Sequence, residues 1–155
     1  MQTVVIYDTK FGNTAEVARA IARGVETLGS VRVMDIAEAA NSLAERPDLL
    51  LVGGPTQKRA MSPGLRAFVD ALPPSLEGVP TALFDTRYRG STLLMGSAAG
   101  EAAKRFRQAG GRVVAPPASF FIARRGPLEH QTLEPGELER AQEWGWALAN
   151  RITKG

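Results

Sequence analysis

The sequence has no cysteine and a single histidine, His130. Without thiols there is no disulfide framework, no thiolate metal ligand and no cysteine nucleophile. One histidine, with no His/Asp/Glu set at ligand spacing around it, argues against a metal centre. Aromatic residues are sparse, at 6%, and the basic residues do not interleave with them. That fits no nucleic-acid recognition motif. No apolar run reaches the length of a membrane span. Met1 leads straight into an apolar segment with no basic leader, so a cytoplasmic protein is expected. No nucleophile and base stand at a recognisable spacing. No catalytic side chain is therefore expected, and His130 reads as a surface residue of a loop.

What is present is an ordinary globular composition: 155 residues, 44% apolar and 23% charged, enough for one domain, 1–155, with a sizeable core. The informative stretch is the first. Val4, Val5, Ile6 and Tyr7 are β-formers in a run too short for a helix and apolar on both faces, the pattern of a central parallel strand. Val17, Ala18, Ile21 and Val25 then recur at helical spacing. Between them lie Thr9, Lys10, Phe11, Gly12, Asn13 and Thr14. A loop opening a helix offers unpaired N–H groups and the positive end of the helix dipole. Gly12 permits close backbone approach, Thr9, Asn13 and Thr14 can donate, and Lys10 adds charge, so the loop suits a phosphate. The plainer alternative is a strand-turn-helix whose Thr and Asn only cap the helix. Spacing excludes a Walker A loop and a Gly-x-Gly-x-x-Gly dinucleotide turn.

Further along, Val31–Ile36 alternates and predicts a second, half-exposed strand, with Gly29 as C-cap of the helix before it. Ala37–Glu45 predicts a short helix. Leu49–Val52 is a third, fully apolar strand ending in Gly53-Gly54-Pro55-Thr56. Ser62 and Pro63 are an N-cap and first helical position, with Leu65, Phe68, Val69 and Leu72 as the buried face. Val79–Phe84 is the fourth strand, and a helix runs from Gly96-Ser97 to Gly110-Gly111. The fifth strand, Arg112–Ala115 and Ser119–Ile122, is interrupted by Pro116 and Pro117, which places it at a sheet edge. A final helix begins at Pro135-Gly136 with Leu138, Ala141, Trp144, Ala147, Leu148 and Ile152 on one side. Strands alternating with helices predict an α/β fold, a three-layer α/β/α sandwich.

The opening motif is specific. A strand ending Ile6-Tyr7, followed by Thr9, Gly12, Thr14, Ala18 and Ile21, resembles the flavodoxin signature at every fixed position. Phe11 stands where that family often has a Thr, which removes one hydroxyl donor. The resemblance implies a flavodoxin-like five-stranded parallel sheet in the order 2-1-3-4-5, with flavin mononucleotide (FMN) at the strand one/three gap. It assigns the phosphate to Thr9, Lys10, Phe11, Gly12, Asn13 and Thr14. One face of the flavin ring falls to the loop beginning Pro55, Thr56, Gln57 and Lys58. The other face and the pyrimidine edge fall to Asp85, Thr86, Arg87, Tyr88 and Arg89. The first of these ring loops has no aromatic, so Gln57 or Met61 would stand in; the second offers Tyr88.

The net charge is +3, whereas flavodoxins of the usual type are strongly acidic. Lys58, Arg59, Arg87, Arg89, Arg124 and Arg125 all fall at the predicted ligand end, where positive charge would favour a reduced anionic flavin. The function the resemblance implies is FMN-binding electron transfer between redox partners, by a monomer or weak dimer; the basic rim would favour partners of acidic surface. No nucleic acid is expected among the partners. An oxidoreductase acting on a quinone or protoporphyrinogen, and a cofactor-free partner-binding module, are the alternatives. A receiver domain is excluded because the third strand ends in Gly53-Gly54 with no phosphoacceptor Asp.

Overall fold

The computed structural model describes residues 1–43 and 45–155. Strands β1 (Gln2–Tyr7), β2 (Ser30–Asp35), β3 (Leu49–Gln57) and β5 (Pro80–Tyr88) pair in parallel in the order β2-β1-β3-β5. Two short strands, β6 (Arg112–Val113) and β7 (Ala118–Ile122), both pair in parallel with β5 and fill the fifth position. This is the predicted 2-1-3-4-5 order, with the proline-bearing strand at the edge. Residues 114–117, including Pro116 and Pro117, stand opposite only 82 and 83. The two surplus residues form a bulge, and the missing proline N–H groups explain why it falls there.

Helices α1 (Asn13–Glu26) and α6 (Glu137–Lys154) cover one face; α2 (Ile36–Ser42), α3 (Pro63–Asp70) and α5 (Ala98–Gln108) cover the other. Strand alternation divides the core between them. Val4, Ile6, Leu50, Val52 and Leu83 pack with Leu65 and Phe106, whereas Val5, Leu49, Leu51 and Phe84 pack with Ile21, Val25 and Leu148. Both faces being buried is why β1 and β3 read as continuous apolar runs.

Several boundaries differ from expectation for identifiable reasons. β3 runs on through Gly53 and Gly54 rather than ending there. Their glycines answer to close packing: an added Cβ would lie 2.3 Å from Cε2 of Phe84 at Gly53 and 2.9 Å from Cδ2 of Leu65 at Gly54. β5 likewise continues to Tyr88, paired with β3 as far as Thr86 and with β7 to its end. Gly29 is not a left-handed cap; it faces the Met1 carbonyl, 2.3 Å from where a Cβ would stand. α2 spans Ile36–Ser42, capped by the Asp35 carboxylate on the Glu38 N–H; of the predicted remainder, Ala44 lies outside the described residues. On α6 the inward side carries Gly145 and Ala149, while Ala147 is exposed. α1 and α6 touch backbone to backbone there: a Cβ on Gly145 would sit 2.3 Å from Ile21 O, and one on Gly24 2.0 Å from Gln142 O. Two short elements have no sequence signal, β4 (Ala60–Met61), antiparallel to the end of β3, and α4 (Thr92–Met95).

Candidate functional site

Parallel pairing with covering helices brings the segments after β1, β3 and β5 to one end of the sheet. The first is tied down from both sides. Asp8 N–H donates to Gly53 O (3.0 Å), the Asp8 carboxylate accepts from Thr9 N–H (3.0 Å), and its other oxygen accepts from the Ser62 hydroxyl (2.5 Å). Gly12 N–H donates to Thr9 Oγ1 (3.1 Å), closing the loop on itself. Gly12, at φ 95°, is the N-cap of α1 and supplies no side-chain acceptor. The first helical hydrogen bond is Glu16 N–H to Gly12 O (3.1 Å), so the N–H groups of Asn13, Thr14 and Ala15 are the free donors of the helix end. The side chains of the loop are engaged elsewhere: the Thr14 hydroxyl shares a hydrogen bond with Thr86 Oγ1 (2.8 Å), and Asn13 Nδ2 donates to the backbone carbonyl of Gln131 (2.9 Å).

The second segment is a hairpin. Gln57 pairs with Ala60 and Thr56 with Met61, leaving a two-residue turn at Lys58 and Arg59 with φ of 48° and 69°. Both central residues at positive φ is the type I′ requirement, which Asn-Gly meets without strain and Lys-Arg does not. The turn is held from behind by Gly96, where a Cβ would stand 2.1 Å from Arg59 O. Thr56 Oγ1 accepts from Ala98 N–H (2.9 Å) and donates to Asp85 Oδ2 (3.3 Å).

Asp85 is fully buried. Its Oδ2 also accepts from the Ser97 hydroxyl (2.7 Å) and Ala99 N–H (3.0 Å), so it anchors the start of α5. Arg87, two residues on and so on the same strand face, places Nε 4.0 Å from Asp85 Oδ1. Its guanidinium donates to Ser119 Oγ (2.9 Å), Tyr88 O (3.2 Å) and Gly90 O (3.0 Å).

These segments enclose a cleft of about 570 Å³. Of the predicted residues, Lys10, Phe11, Asn13, Pro55, Thr56, Gln57, Lys58, Thr86, Arg87 and Tyr88 line it; Thr9, Gly12, Thr14, Asp85 and Arg89 do not. Thr9, Thr14 and Asp85 instead brace the walls. Met61, Pro63, Ile122, Leu128 and Gln131 also line the cleft. The last two come from the β7–α6 connection, whose sequence carries no motif; only its length hints at a further wall. Phe11 and Leu128, 44% and 55% exposed, form apolar parts of the mouth.

The cationic rim is smaller than the sequence implies. Arg87 is buried and neutralised by Asp85 and carbonyl groups. Arg89 pairs with Glu134 at 2.8 Å, a contact that raises its pKa. Arg124 lies over the Tyr88 ring (4.1 Å) and Lys10 over Phe11 (5.3 Å). Among the described residues, Lys10, Lys58, Arg59, Arg124 and Arg125 have no carboxylate at ion-pair distance. No three His, Asp or Glu side chains among the described residues could hold a metal ion, and no helix there is long and apolar enough to cross a membrane.

A doubly wound sheet with a cleft at the strand one/three gap defines the class of open α/β proteins whose ligands sit at that switch point. The profile of one family within it, flavodoxin, matches residues 5–144, and the chain belongs to the flavodoxin family. Members of that family typically bind FMN and pass electrons to redox partners. No curated protein sequence matches the chain. Among solved structures, a flavodoxin from the domain Archaea superposes with a TM-score of 0.77 at 20% identity, covering 99% of both chains. Flavodoxin 1 from Bacillus cereus gives 0.75 at 21%, covering 99% of this chain and 98% of that one. The flavodiiron protein from Giardia intestinalis gives 0.77 at 17%; this chain spans only 36% of its length. At such identities the likeness establishes the fold.

Proposed function

We propose that the chain binds FMN in this cleft and works as a cytoplasmic electron carrier. The observation that carries the reading is continuity: a single cavity joins the uncapped N-terminus of α1 to a slot walled by β3 and β5. The residues fit the group. At the phosphate end, a Cβ on Gly12 would meet nothing within 4 Å, so the backbone there faces open space beside the helix donors. Farther in, Pro55, Met61, Pro63 and Ile122 make the walls apolar, as a ring system needs.

In this reading the backbone of Thr9–Thr14 holds the phosphate, with Lys10 adding charge. Pro55, Thr56, Gln57 and Lys58 flank one face of the ring. Tyr88 flanks the other, and an aromatic contact there contributes about 0.5–1.5 kcal/mol beyond its buried area. Thr86 and Arg87 line the edge. Asp85 acts through Thr56, and Glu134 keeps Arg89 off the ring. The bound flavin supplies the electron chemistry; the chain's residues bind it, orient it and exclude water.

Among the described residues, four of the five large exposed apolar side chains, Phe11, Leu93, Leu94 and Leu128, lie in segments at this end, as do the unpaired cations. An apolar centre with a basic border suits a redox partner of acidic surface, with association that slows as salt rises. A second reading, an oxidoreductase acting on a quinone or porphyrinogen, draws on Leu128 and Gln131: the fourth wall deepens the cleft beyond what the other three segments would enclose. Turnover of such a substrate by the flavin-loaded protein would favour it.

FMN titration of the purified chain tests the cofactor. The flavin spectrum should shift and its fluorescence fall. At a free concentration one hundred times Kd, ligand binding adds about 2.7 kcal/mol of stability. For a chain of this size that raises the melting temperature by roughly 5–11 °C. An unchanged spectrum and melting temperature would refute the reading and leave the partner-binding module.

A further inference from the structure

The connection between β7 and α6 folds back along the cleft as a strap. Ala123 N–H donates to Thr132 O (2.8 Å), Ile122 bridges Leu133 in antiparallel fashion, and Glu134 N–H donates to Phe121 O (2.9 Å). On this strap Gln131 is only 9% exposed, unusual for a glutamine in a surface connection. Its polar groups reach three separate places. Its backbone carbonyl accepts from Asn13 Nδ2 (2.9 Å), its Oε1 accepts from the Tyr88 hydroxyl (2.5 Å), and its Nε2 donates to Gly126 O (3.0 Å). The Gly126 carbonyl can only accept, so it fixes which way the amide points and makes the Tyr88 hydroxyl the donor.

Tyr88 is thereby gripped twice. Its hydroxyl is held by Gln131, and one ring face is covered by the Arg124 guanidinium, which does not line the cleft. The ring can turn neither about its axis nor away from the slot without breaking a contact. The same strap residue holds Asn13, the first residue of the helix that opens the phosphate end.

We propose that Gln131 is a positioning residue that couples the phosphate-binding loop to the Tyr88 wall, so that the tail and ring subsites form as one unit. The proposal rests on the FMN reading above. Losing the amide leaves a part-buried hydroxyl without a partner, and frees the strap that Asn13 leans on.

The test uses Gln131→Met, which keeps side-chain length, Tyr88→Phe, which deletes only the other end of the same hydrogen bond, and the double variant. FMN and riboflavin affinities are measured by fluorescence quenching, and tryptic cleavage after Arg124 and Arg125 is followed in flavin-free protein. Gln131→Met should weaken FMN by about tenfold to a hundredfold. The double variant should be no worse than Gln131→Met alone, because both substitutions remove one interaction. The preference for FMN over riboflavin should narrow, because the backbone carbonyl that Asn13 donates to is no longer held in place by the amide's two bonds, and cleavage in the strap should speed up. Unchanged FMN affinity in Gln131→Met, or losses that simply add in the double variant, would overturn the proposal while leaving the flavin reading intact. A wild-type chain that binds no FMN would overturn both.

Discussion

Gly145→Ala should destabilise the protein even though alanine is the better helix former. The added Cβ would sit 2.3 Å from Ile21 O, and that atom belongs to the rigid backbone of α1. Ordinary contact begins near 3.4 Å, so α6 must retreat by about 1 Å from α1. That retreat thins the packing of Ala18, Ile21 and Val25 against Ala141, Leu148 and Ala149. Overpacking costs typically reach about 3 kcal/mol, and the propensity of alanine over glycine returns about 1 kcal/mol. The net loss is about 2 kcal/mol, or roughly 4–8 °C in melting temperature for a chain of this length. Thermal melts by circular dichroism and urea titration read it directly. Gly24→Ala should behave alike, with a Cβ 2.0 Å from Gln142 O, but the pair should cost less than the sum, because one separation relieves both clashes. Ala147→Gln, on the outward side of α6, should stay within about 0.5 kcal/mol of wild type. A Gly145→Ala protein as stable as wild type would refute the account of this helix pair.

Glu137 gives a pH prediction. Burial pushes its carboxyl up, but the hydrogen bond from Arg140, the N–H of Phe121 and the charges of Arg140 and Arg89 outweigh that and hold it below its ordinary value. A lowered carboxyl contributes stability above its unfolded pKa, about 4.3, and the contribution disappears as pH falls through the folded value. Glu137→Gln should therefore cost about 1–3 kcal/mol at pH 7, and urea titrations should show the gap closing in acid. A gap that stays constant down to pH 2 would count against this. At the hairpin, replacing Lys58-Arg59 by Asn-Gly relieves two left-handed non-glycine residues and should add about 1–2 kcal/mol, roughly 2–8 °C, in a calorimetric scan. The same change removes two rim cations, so it should flatten the salt dependence of association with an acidic partner.

The architecture was legible where one residue pattern had one physical cause. The switch from Val4–Tyr7 to the helical spacing of Val17, Ile21 and Val25 marks a strand and helix whatever surrounds them. Pro116 and Pro117 lack the N–H groups of a central strand, and so they locate the edge. Ser62 and Pro63 cap a helix by local chemistry alone, and the Ser62 hydroxyl does accept from Leu65 N–H. Legibility fails where the cause lies far along the chain. Gly53-Gly54 resembles a turn, but its glycines answer to the Phe84 ring and Leu65. Arg87 and Arg89 read as rim charges until Asp85 on the same strand face and Ser119 and Glu134 from farther along the chain engage them. The inward side of α6 is set by backbone contact with α1, which favours Gly145 over the better-spaced Ala147. Gln131 has no local signature at all; its importance comes from the two distant partners it holds.

The two borders of the sheet are treated differently. Along β7 the outer polar groups are already spoken for: Glu137 accepts the Phe121 N–H, Arg140 donates to Ser119 O, and Glu134 returns to Phe121 O. Among the described residues no side chain hydrogen-bonds the backbone of β2, Ser30–Asp35, the strand at the other border. Strand-to-strand recruitment between copies is therefore blocked at one margin and guarded at the other only by the charges of Arg32 and Asp35. Neutralising those two side chains should leave β2 more prone to zip onto the same strand of a second copy.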